Sequence, residues 1–494
     1  MNRAAGLAIG IVVVTAAVAA GGAWYTGTQL EPVLQNAISQ ANKELAVSFT
    51  GADGRPAATL ELLSVERHVF SSVAHYRVKL LGAELGGEQG SRELLLVDNI
   101  EHGPLPWSRL KSLRFMPVMA ASNFALERSP DSEPWFAMSQ NVSPLQGHAS
   151  IGYDRASEGQ LHLLPLQWQD ETGTVRFSGL TANASLSPDA HTYTFTGSSD
   201  ELSASFTGPK GTASLQIKGL SFDTGGTKGE SGLYLGHSDL KVVQVQLSLP
   251  DVGLVQLDNA TSTGLMQEVE GQLAAQLAYD IGMVSYAGKP IAATQMAWKF
   301  SHIDIVASQR LLELYRTVIA PQLQGETPDG LPPKVVLAPG EQQQFDAGLR
   351  QLLEGRPRVE LERFTLKTPH GESRLNMTAE LANPEPLKPG SPQYAQKLLG
   401  QFDARLQLSK AMLADLGSLQ ASAQGQVDPD RAGQDMSETV GGLGQMLGLL
   451  TQEGDNLLST LRYSDGMVDF NGRKMTSQEF MSTVVGQLGA LRQQ

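Results

Sequence analysis

The distribution of apolar and polar positions along the chain begins with a segment that is apolar on every side. Residues 4–23 contain no charged side chain, and the hydroxyl of Thr15 is their main polar group. Twenty residues at about 1.5 Å each give the roughly 30 Å of hydrocarbon that a membrane-spanning helix crosses. The pattern therefore predicts an N-terminal transmembrane signal-anchor over residues 1–25.

The flanks of this segment predict its orientation. Positive charge on the short flank, here the amino terminus and Arg3, tends to stay in the cytoplasm, and Trp24 and Tyr25 are suited to the outer interface. A cleaved signal peptide is the alternative, because Ala17-Val18-Ala19 resembles a cleavage site. A helix of a soluble core is disfavoured by apolarity on all faces. Anchor and signal peptide both send the remaining chain out of the cytoplasm.

The pattern then changes to helical spacing and, after that, to a period of two. Residues 31–45 form an amphipathic stretch that predicts a short helix. Beyond it lie short segments rich in Val, Thr, Leu and Phe, which predict strands at residues 59–65, 72–80, 94–100, 174–177, 192–195, 202–206, 213–217 and 241–249.

The densest strand pattern covers residues 147–257. Breaks are expected at Gly179, Gly197, residues 208–211 and Gly225-Gly226. This spacing predicts an antiparallel meander without helices between the strands. Alternation gives each strand one apolar face, which needs a second layer or a ligand against it.

Beyond residue 297 the pattern predicts a strand followed by a helix, and it does so twice. Residues 298–305 alternate and lead into a helical pattern that Ser308 could cap, and residues 402–408 lead into one that Ser409 could cap. Hairpins are expected around residues 369–371 and 464–466. The glycine-rich segment 439–450 predicts a helix packed closely on the sheet, and residues 477–491 predict a last helix.

These elements predict a β-rich α+β protein. We expect the N-terminal transmembrane helix, then an extended antiparallel sheet or meander, with helices concentrated in the C-terminal part. The predicted regions are residues 1–25 for the anchor, 26–296 for a β-rich region and 297–494 for an α+β region.

Composition and charge narrow the partners. A hydrophobic content of 41% with 18% charged residues is typical of a folded protein, and zero cysteines excludes disulfides, thiol nucleophiles and thiolate metal sites. A net charge of −14 argues against nucleic acid as a partner. The same charge argues against broad adhesion to anionic headgroups, so membrane contact is expected from the anchor.

No candidate site reaches the level of an assignment. The nine histidines show no metal-binding spacing, and His102 is expected to donate to a backbone carbonyl in the Gly-Pro turn that follows it. No nucleophile-elbow motif occurs. Three further candidate sites are interpreted as structural. They are the glycines near Lys228 as a phosphate loop, the turn at Asp428 and Asp430 as a calcium loop, and Glu360 with Glu362 as a catalytic carboxylate pair. We assign no catalytic, cofactor-binding or metal-binding residue and predict that the protein is not an enzyme.

Four landmarks along the chain resemble one family. They are Gly21-Gly22-Ala23-Trp24-Tyr25-Thr26-Gly27, Arg67-His68-Val69-Phe70-Ser71-Ser72, His102-Gly103-Pro104-Leu105-Pro106, and Asn471-Gly472-Arg473-Lys474-Met475 followed by Phe480. In this order they resemble the YdgA family of bacterial envelope proteins. The resemblance implies an uncleaved single-pass anchor in the inner membrane and a body in the periplasm. It implies no activity and no catalytic residues.

Two hypotheses for the function follow. The first is a non-enzymatic, inner-membrane-anchored periplasmic protein of envelope maintenance, which acts by contact with another envelope protein or with itself. The second is a binding module for lipid or another apolar molecule, because the layout resembles that of AsmA-like lipid-handling proteins. That likeness is one of fold alone. An envelope hydrolase is a third alternative.

Overall fold

The computed structural model describes residues 34–39, 41–42, 58–81, 91–323, 335–384, 394 and 397–483. The predicted anchor over residues 1–25 lies outside this part of the chain. Among the described residues, no helix is both long and apolar enough to cross a bilayer. The chain divides into two compact units: unit 1 is Met1–Leu240 with Ala320–Val335, and unit 2 is Lys241–Ile319 with Val336–Gln494. The region boundaries expected from the sequence stay predictions.

Unit 1 is an antiparallel sheet with short helices. Helix α1 is helical at residues 34–39 and 41–42, and α2 (Trp107–Lys111) and α3 (Glu133–Met138) follow between strands. The strands are β1 (Ala58–Arg67), β2 (Ser71–Leu81), β3 (Ser91–His102), β4 (Ala120–Leu126), β5 (Leu145–Ile151), β6 (Ser157–Leu163), β7 (Leu166–Gln169), β8 (Gly173–Phe177), β9 (Leu180–Leu186), β10 (Thr192–Gly208) and β11 (Gly211–Lys228). β12 (Tyr234–Leu249) contains the boundary between the units.

One face of the unit 1 sheet is covered. The amphipathic helix predicted from residues 31–45 is confirmed in its described part, because Leu34, Ile38 and Ala41 are all buried. Leu34 and Ile38 pack in one cluster with Leu60 and other residues of the sheet, and Phe136 of α3 belongs to a second cluster. Both clusters lie on the same face, so this sheet has a filled core.

Unit 2 continues the antiparallel pattern. Its strands are β13 (Gly253–Val269), β14 (Gln272–Tyr286), β15 (Lys289–Asp304), β16 (Arg358–Lys367), β17 (Glu372–Leu381), β18 (Leu399–Ser409), β19 (Thr451–Glu453), β20 (Asn456–Ser464), β21 (Met467–Phe470) and β22 (Arg473–Thr476). Its helices are α4 (Ile305–Leu314), α6 (Pro339–Glu354), α7 (Lys410–Ala423), α8 (Pro429–Met446) and residues 477–483, while α5 (Ala320–Leu323) belongs to unit 1. The prediction of a β-rich α+β chain with antiparallel strands and mostly C-terminal helices is confirmed.

Two of the expected strand breaks are wrong. Gly197 lies inside β10, which joins two strands predicted separately, and Gly225-Gly226 lies inside β11. Gly197 is paired with Phe222 on the neighbouring strand, and a Cβ at Gly197 would overlap the Phe222 ring. Here the missing side chain makes room for an aromatic ring on the sheet.

The helix caps after β15 and β18 differ from each other. Ser409 caps α7 as predicted, because its Oγ accepts from the Met412 N–H at 3.3 Å. The expected cap at Ser308 is wrong: α4 begins three residues earlier, and the carboxylate of Asp304 accepts from the Ala307 N–H at 2.7 Å. The Ser308 hydroxyl donates instead to the Asp304 carbonyl, at 2.7 Å. An aspartate at the end of an alternating strand is as good a cap as serine.

The glycine-rich helix near the C-terminus is closely packed, as predicted, but mainly on a neighbouring helix. A Cβ at Gly417 of α7 would lie 2.8 Å from the Cα of Gly433 of α8. Gly441 faces Leu457 of β20. The expected last helix is confirmed over residues 477–483 and follows β22, a strand absent from the prediction, while its remainder lies outside the described residues.

We expect opposite effects from two glycine substitutions in α8. Gly433→Ala should destabilise unit 2 by about 1–3 kcal/mol, because the new methyl group would overlap the Ala414 carbonyl and Ser418. Gly442→Ala should stabilise it by about 0.5–1 kcal/mol, because nothing lies within 4 Å of its Cβ position and alanine favours the helix. Urea unfolding of the two variants measures both signs, and equal effects would contradict the close helix contact.

Candidate functional site

The sheet of unit 2 presents one continuous apolar face. The register aligns one row of side chains across eight strands: Gly264, Leu277, Trp298, Leu361, Met377, Ala404, Leu461 and Phe470. A parallel row on the same face is Ser262, Tyr279, Met296, Phe364, Leu375 and Leu406. We call this surface, presented by both rows, the apolar face.

The opposite side of the same strands is polar. The row next to Leu277 and Trp298 is Gln276, Lys299, Glu360, Thr378, Asp403, Arg462, Asp469 and Lys474. Two ion pairs tie it together: Arg358 Nε lies 2.6 Å from Glu360 Oε1, and Arg462 Nε lies 3.0 Å from Asp403 Oδ2. This side is therefore suited to contact with water, whereas the apolar face is not.

The apolar face has no complete cover among the described residues. Leu277 is 38% exposed and Tyr279 39% exposed, and Trp298, Phe364 and Met377 are only partly buried. Large apolar side chains are normally sealed when a sheet has a second layer. This surface remains open to an occupant.

The helices of unit 2 cover the two ends of these strands. α4 and α6 pack together where β15 ends, with Gly348 against Leu311. α7 and α8 pack where β18 ends, around a cluster of Met412, Leu413 and Leu457. The strands that carry Leu277 and Trp298 are 15 and 16 residues long, or roughly 50 Å. The uncovered part of the apolar face is thus elongated.

In unit 1 one face of the sheet is covered by the two packed clusters described above, and a buried aspartate lies on that face. Asp98 is paired with Ala74 and Phe124 and is fully buried. Ser122 Oγ donates to Asp98 Oδ1 at 2.7 Å, whereas Asp98 Oδ2 and the Tyr76 hydroxyl have no hydrogen-bond partner among the described residues. Burial raises the pKa of Asp98 to about 7, against the effect of the hydrogen bonds from Ser122 and Asn123. Burial, with Asp98 nearby, also raises the pKa of Tyr76.

The expectation for His102 is wrong in its partner. Its Nε2 lies 3.1 Å from the hydroxyl of the buried Ser72, on the adjacent strand, and not at a backbone carbonyl. Burial lowers the pKa of His102. A neutral imidazole can accept a proton from a hydroxyl, but this ring makes no contact with a carboxylate that would orient it as in a hydrolase triad. The pair joins β2 to the end of β3.

The other histidines are dispersed. Most contact one side chain each: His75 contacts Glu127, His148 contacts Arg114, His162 contacts Thr181, His237 contacts Asp223 and His370 contacts Asp415. The hydrogen bond between His370 Nδ1 and the Asp415 carboxylate, which accepts at 2.7 Å, raises the pKa of His370. Within the described ranges, no group of three or more His, Asp or Glu side chains could hold a metal ion.

The remaining polar candidates have structural positions. Gly225 and Gly226 lie in an extended strand, not in a loop that could surround a phosphate. Asp428 caps α8, where its carboxylate accepts from the Arg431 N–H at 3.2 Å. Glu360 is paired with Arg358, and a register shift lies between Leu361 and Phe364, next to Glu362.

The pattern-based prediction contains no strand at β13 or β14. For that reason the apolar face is not predicted from the sequence. The signal was present in the alternation Ala275, Leu277, Tyr279 and Ile281. Alternation shows that one face of a strand is apolar. It does not show whether another element covers that face.

Comparison with known proteins gives relatives of nearly full length. The chain is 25% identical to the protein YdgA of Escherichia coli (strain K12), over 97% of this chain and 96% of that protein. It is 23% identical to the uncharacterized protein YihF of the same organism, over 96% of this chain and 98% of that protein. An uncharacterized protein of Haemophilus influenzae is 24% identical over 35% of this chain and 45% of its own length.

These matches confirm the resemblance to YdgA drawn from the four landmarks. No solved structure matches the chain. One family model, described as a bacterial protein of unknown function (DUF945), matches residues 1–478. Because that match spans nearly the whole sequence, the chain belongs to the DUF945 family.

Proposed function

We propose that the protein is anchored in the inner membrane by residues 4–23, with its body in the periplasm, and that it binds an apolar ligand on the apolar face. The ligand class is one with a long hydrocarbon portion, such as a lipid acyl chain. The proposal assigns no catalytic step. It takes the second of the two hypotheses from the sequence as the better supported.

One observation supports this choice above the others. The row through Leu277, Trp298 and Met377 crosses the sheet without a polar side chain, and these three side chains are partly exposed, while Leu361 between Trp298 and Met377 is buried. Burying apolar surface is worth about 25 cal/mol per Å². An elongated apolar surface therefore favours an elongated apolar occupant over water.

Contact with another envelope protein, or with a second copy, is the other hypothesis from the sequence. Such an interface would need to bury about 800 Å² on each partner, and interfaces of this kind have a polar rim around an apolar centre. The apolar face supplies the centre. Both hypotheses therefore place the partner on the apolar face, and a measurement of what is bound to the protein can separate them.

Native mass spectrometry of the full chain, purified in detergent, tests the proposal. We expect adducts with the masses of membrane lipids, enriched over an unrelated single-span periplasmic protein purified in the same detergent. Lipid extraction and mass spectrometry should identify them. A dimer without lipid adducts would support the hypothesis of self-association, and the absence of any enrichment over the control protein would refute ligand binding.

A further inference from the structure

Two loops of unit 1 lie together at one end of its sheet. The first is the turn between β1 and β2, and the second is the connection over residues 103–119 between β3 and β4. The register brings them to the same end, because Arg67 pairs with Ser72 and His102 pairs with Ala120. The His102 N–H donates to the Phe70 carbonyl at 2.9 Å and joins the two loops directly.

These loops expose large apolar side chains that take no part in the core. We define the loop patch as the following six residues, each at least 64% exposed: Val69, Phe70, Trp107, Leu113, Phe115 and Met116. Elsewhere in the described chain, exposure of 60% or more is found at only four large apolar residues, which are scattered. Single exposed apolar residues are normal, but a group of this size marks an interaction surface.

The charge of the second loop is opposite to that of the whole chain. Residues 103–119 contain Arg109, Lys111 and Arg114 and no acidic residue, while the chain has a net charge of −14. Arg109 turns inward and donates to Ser150 at 2.8 Å. The Lys111 ammonium lies 5.7 Å from the centre of the Trp107 ring. The Arg114 side chain is 47% exposed and lies 3.9 Å from the Glu158 carboxylate. Exposed aromatic and apolar residues with nearby basic groups are typical of segments that enter the headgroup layer of a bilayer.

The preceding chain arrives at the same end of the sheet. Asn42, at the C-terminal end of α1, bonds both the N–H and the carbonyl of Leu60, each at 2.8 Å. Leu34, eight residues earlier, joins a cluster with Ile100, Ala120 and Ile151, which lie within two residues of the strand ends next to the loops. This arrangement indicates that α1 points its N-terminal end toward the loop patch.

The segment between the predicted anchor and α1 is short. Residues 24–33 separate the charge-free segment from the first described residue. Ten residues can reach at most about 35 Å. This length limits how far α1 can lie from the surface in which the preceding segment is expected to end.

We propose that the loop patch docks on the membrane, with Phe70, Trp107, Phe115 and Met116 in the headgroup layer of a leaflet that contains anionic lipid. This docking rests on the anchored location in the proposed function, and not on the ligand of the apolar face. It goes beyond the expectation, drawn from net charge, that membrane contact comes from the anchor. The net charge of the whole chain does not describe the charge of each local surface, and the loop over residues 103–119 is basic in an acidic chain.

The absence of cysteine allows single labels to test the docking in the full chain. Phe115→Cys reports on the loop patch and Thr15→Cys on the predicted anchor. Val142→Cys is the matched control, because Val142 is 49% exposed in the loop before β5, at the opposite end of the same strands. Each variant is labelled with a polarity-sensitive fluorophore and reconstituted into vesicles of phosphatidylcholine, with or without phosphatidylglycerol, that also contain a spin-labelled quencher lipid.

We expect blue-shifted, quenched emission at residue 115 and no quenching at residue 142, with a larger effect when phosphatidylglycerol is present. Quenching at residue 15 without quenching at residue 115 would overturn the docking and leave the anchor in place. Quenching at residue 115 alone would support the docking and refute the anchor. Equal quenching at residues 115 and 142 would overturn the docking, because it would show no preferred orientation.

Discussion

Asp98→Asn is expected to remove most of the loss of stability that unit 1 suffers as the pH rises from about 4 to about 7. Asp98 has a pKa of about 7 when folded, against an ordinary value of 3.8 for an exposed aspartate. Between pH 3.8 and about pH 7 the unfolded chain releases a proton that the folded chain keeps. The contribution of this group to the free energy of unfolding is therefore fully present below pH 3.8 and is lost as the pH rises toward 7. A difference of this size corresponds to about 4 kcal/mol.

Asparagine should keep the contacts that matter. Its side-chain oxygen can accept from Ser122 as Asp98 Oδ1 does, and its amide group would lie at Oδ2, which has no partner in the structure. Urea unfolding, followed by a fluorophore at a cysteine introduced at Val142, would measure the difference across this pH range. Asp239→Asn is the control, because Asp239 is exposed on β12 and should leave the pH profile unchanged. A steep pH profile that persists in Asp98→Asn would show that another group causes it.

Much of the fold could be predicted from alternation and turn residues. The strands at residues 59–65, 72–80 and 94–100 correspond to β1, β2 and β3, and the hairpin at residues 369–371 joins β16 to β17. These segments are half-buried, so their polar and apolar positions alternate clearly. The landmark residues 67–72 and 102–106 meet at one end of the sheet, which sequence order alone does not predict.

The errors arise where tertiary contacts override local propensity. Gly197 and Gly225 resemble turn residues, but Gly197 makes room for the Phe222 ring, and a Cβ at Gly225 would lie 3.0 Å from the His237 ring on the neighbouring strand. Asp98 occupies an apolar row, where an aspartate would not be expected from the pattern. The pattern also does not distinguish the filled face of unit 1 from the open face of unit 2, because both have the same alternation.

Leu277→Glu is expected to reduce lipid retention to the level of an unrelated control protein. Leu277 lies on the apolar face beside Trp298, and the Trp298 and Phe300 rings stack with centres 6.3 Å apart. A carboxylate at this point would lose its hydration whenever a hydrocarbon chain lay across the face, and burying an unpaired charge is strongly unfavourable. Because Leu277 is already 38% exposed, the glutamate can remain hydrated in the ligand-free protein. Quantitative mass spectrometry of co-purified lipid measures the loss.

Gln276→Glu is the matched control for this substitution. Gln276 is the preceding residue on β14, is also exposed, and points to the polar face beside Lys299. Both variants add the same charge to the same strand, so they share any effect of net charge or of strand propensity. Normal retention in Gln276→Glu together with loss in Leu277→Glu would place the ligand on the apolar face. Equal retention in both variants would contradict that placement, because only one of the two faces can lie against the hydrocarbon.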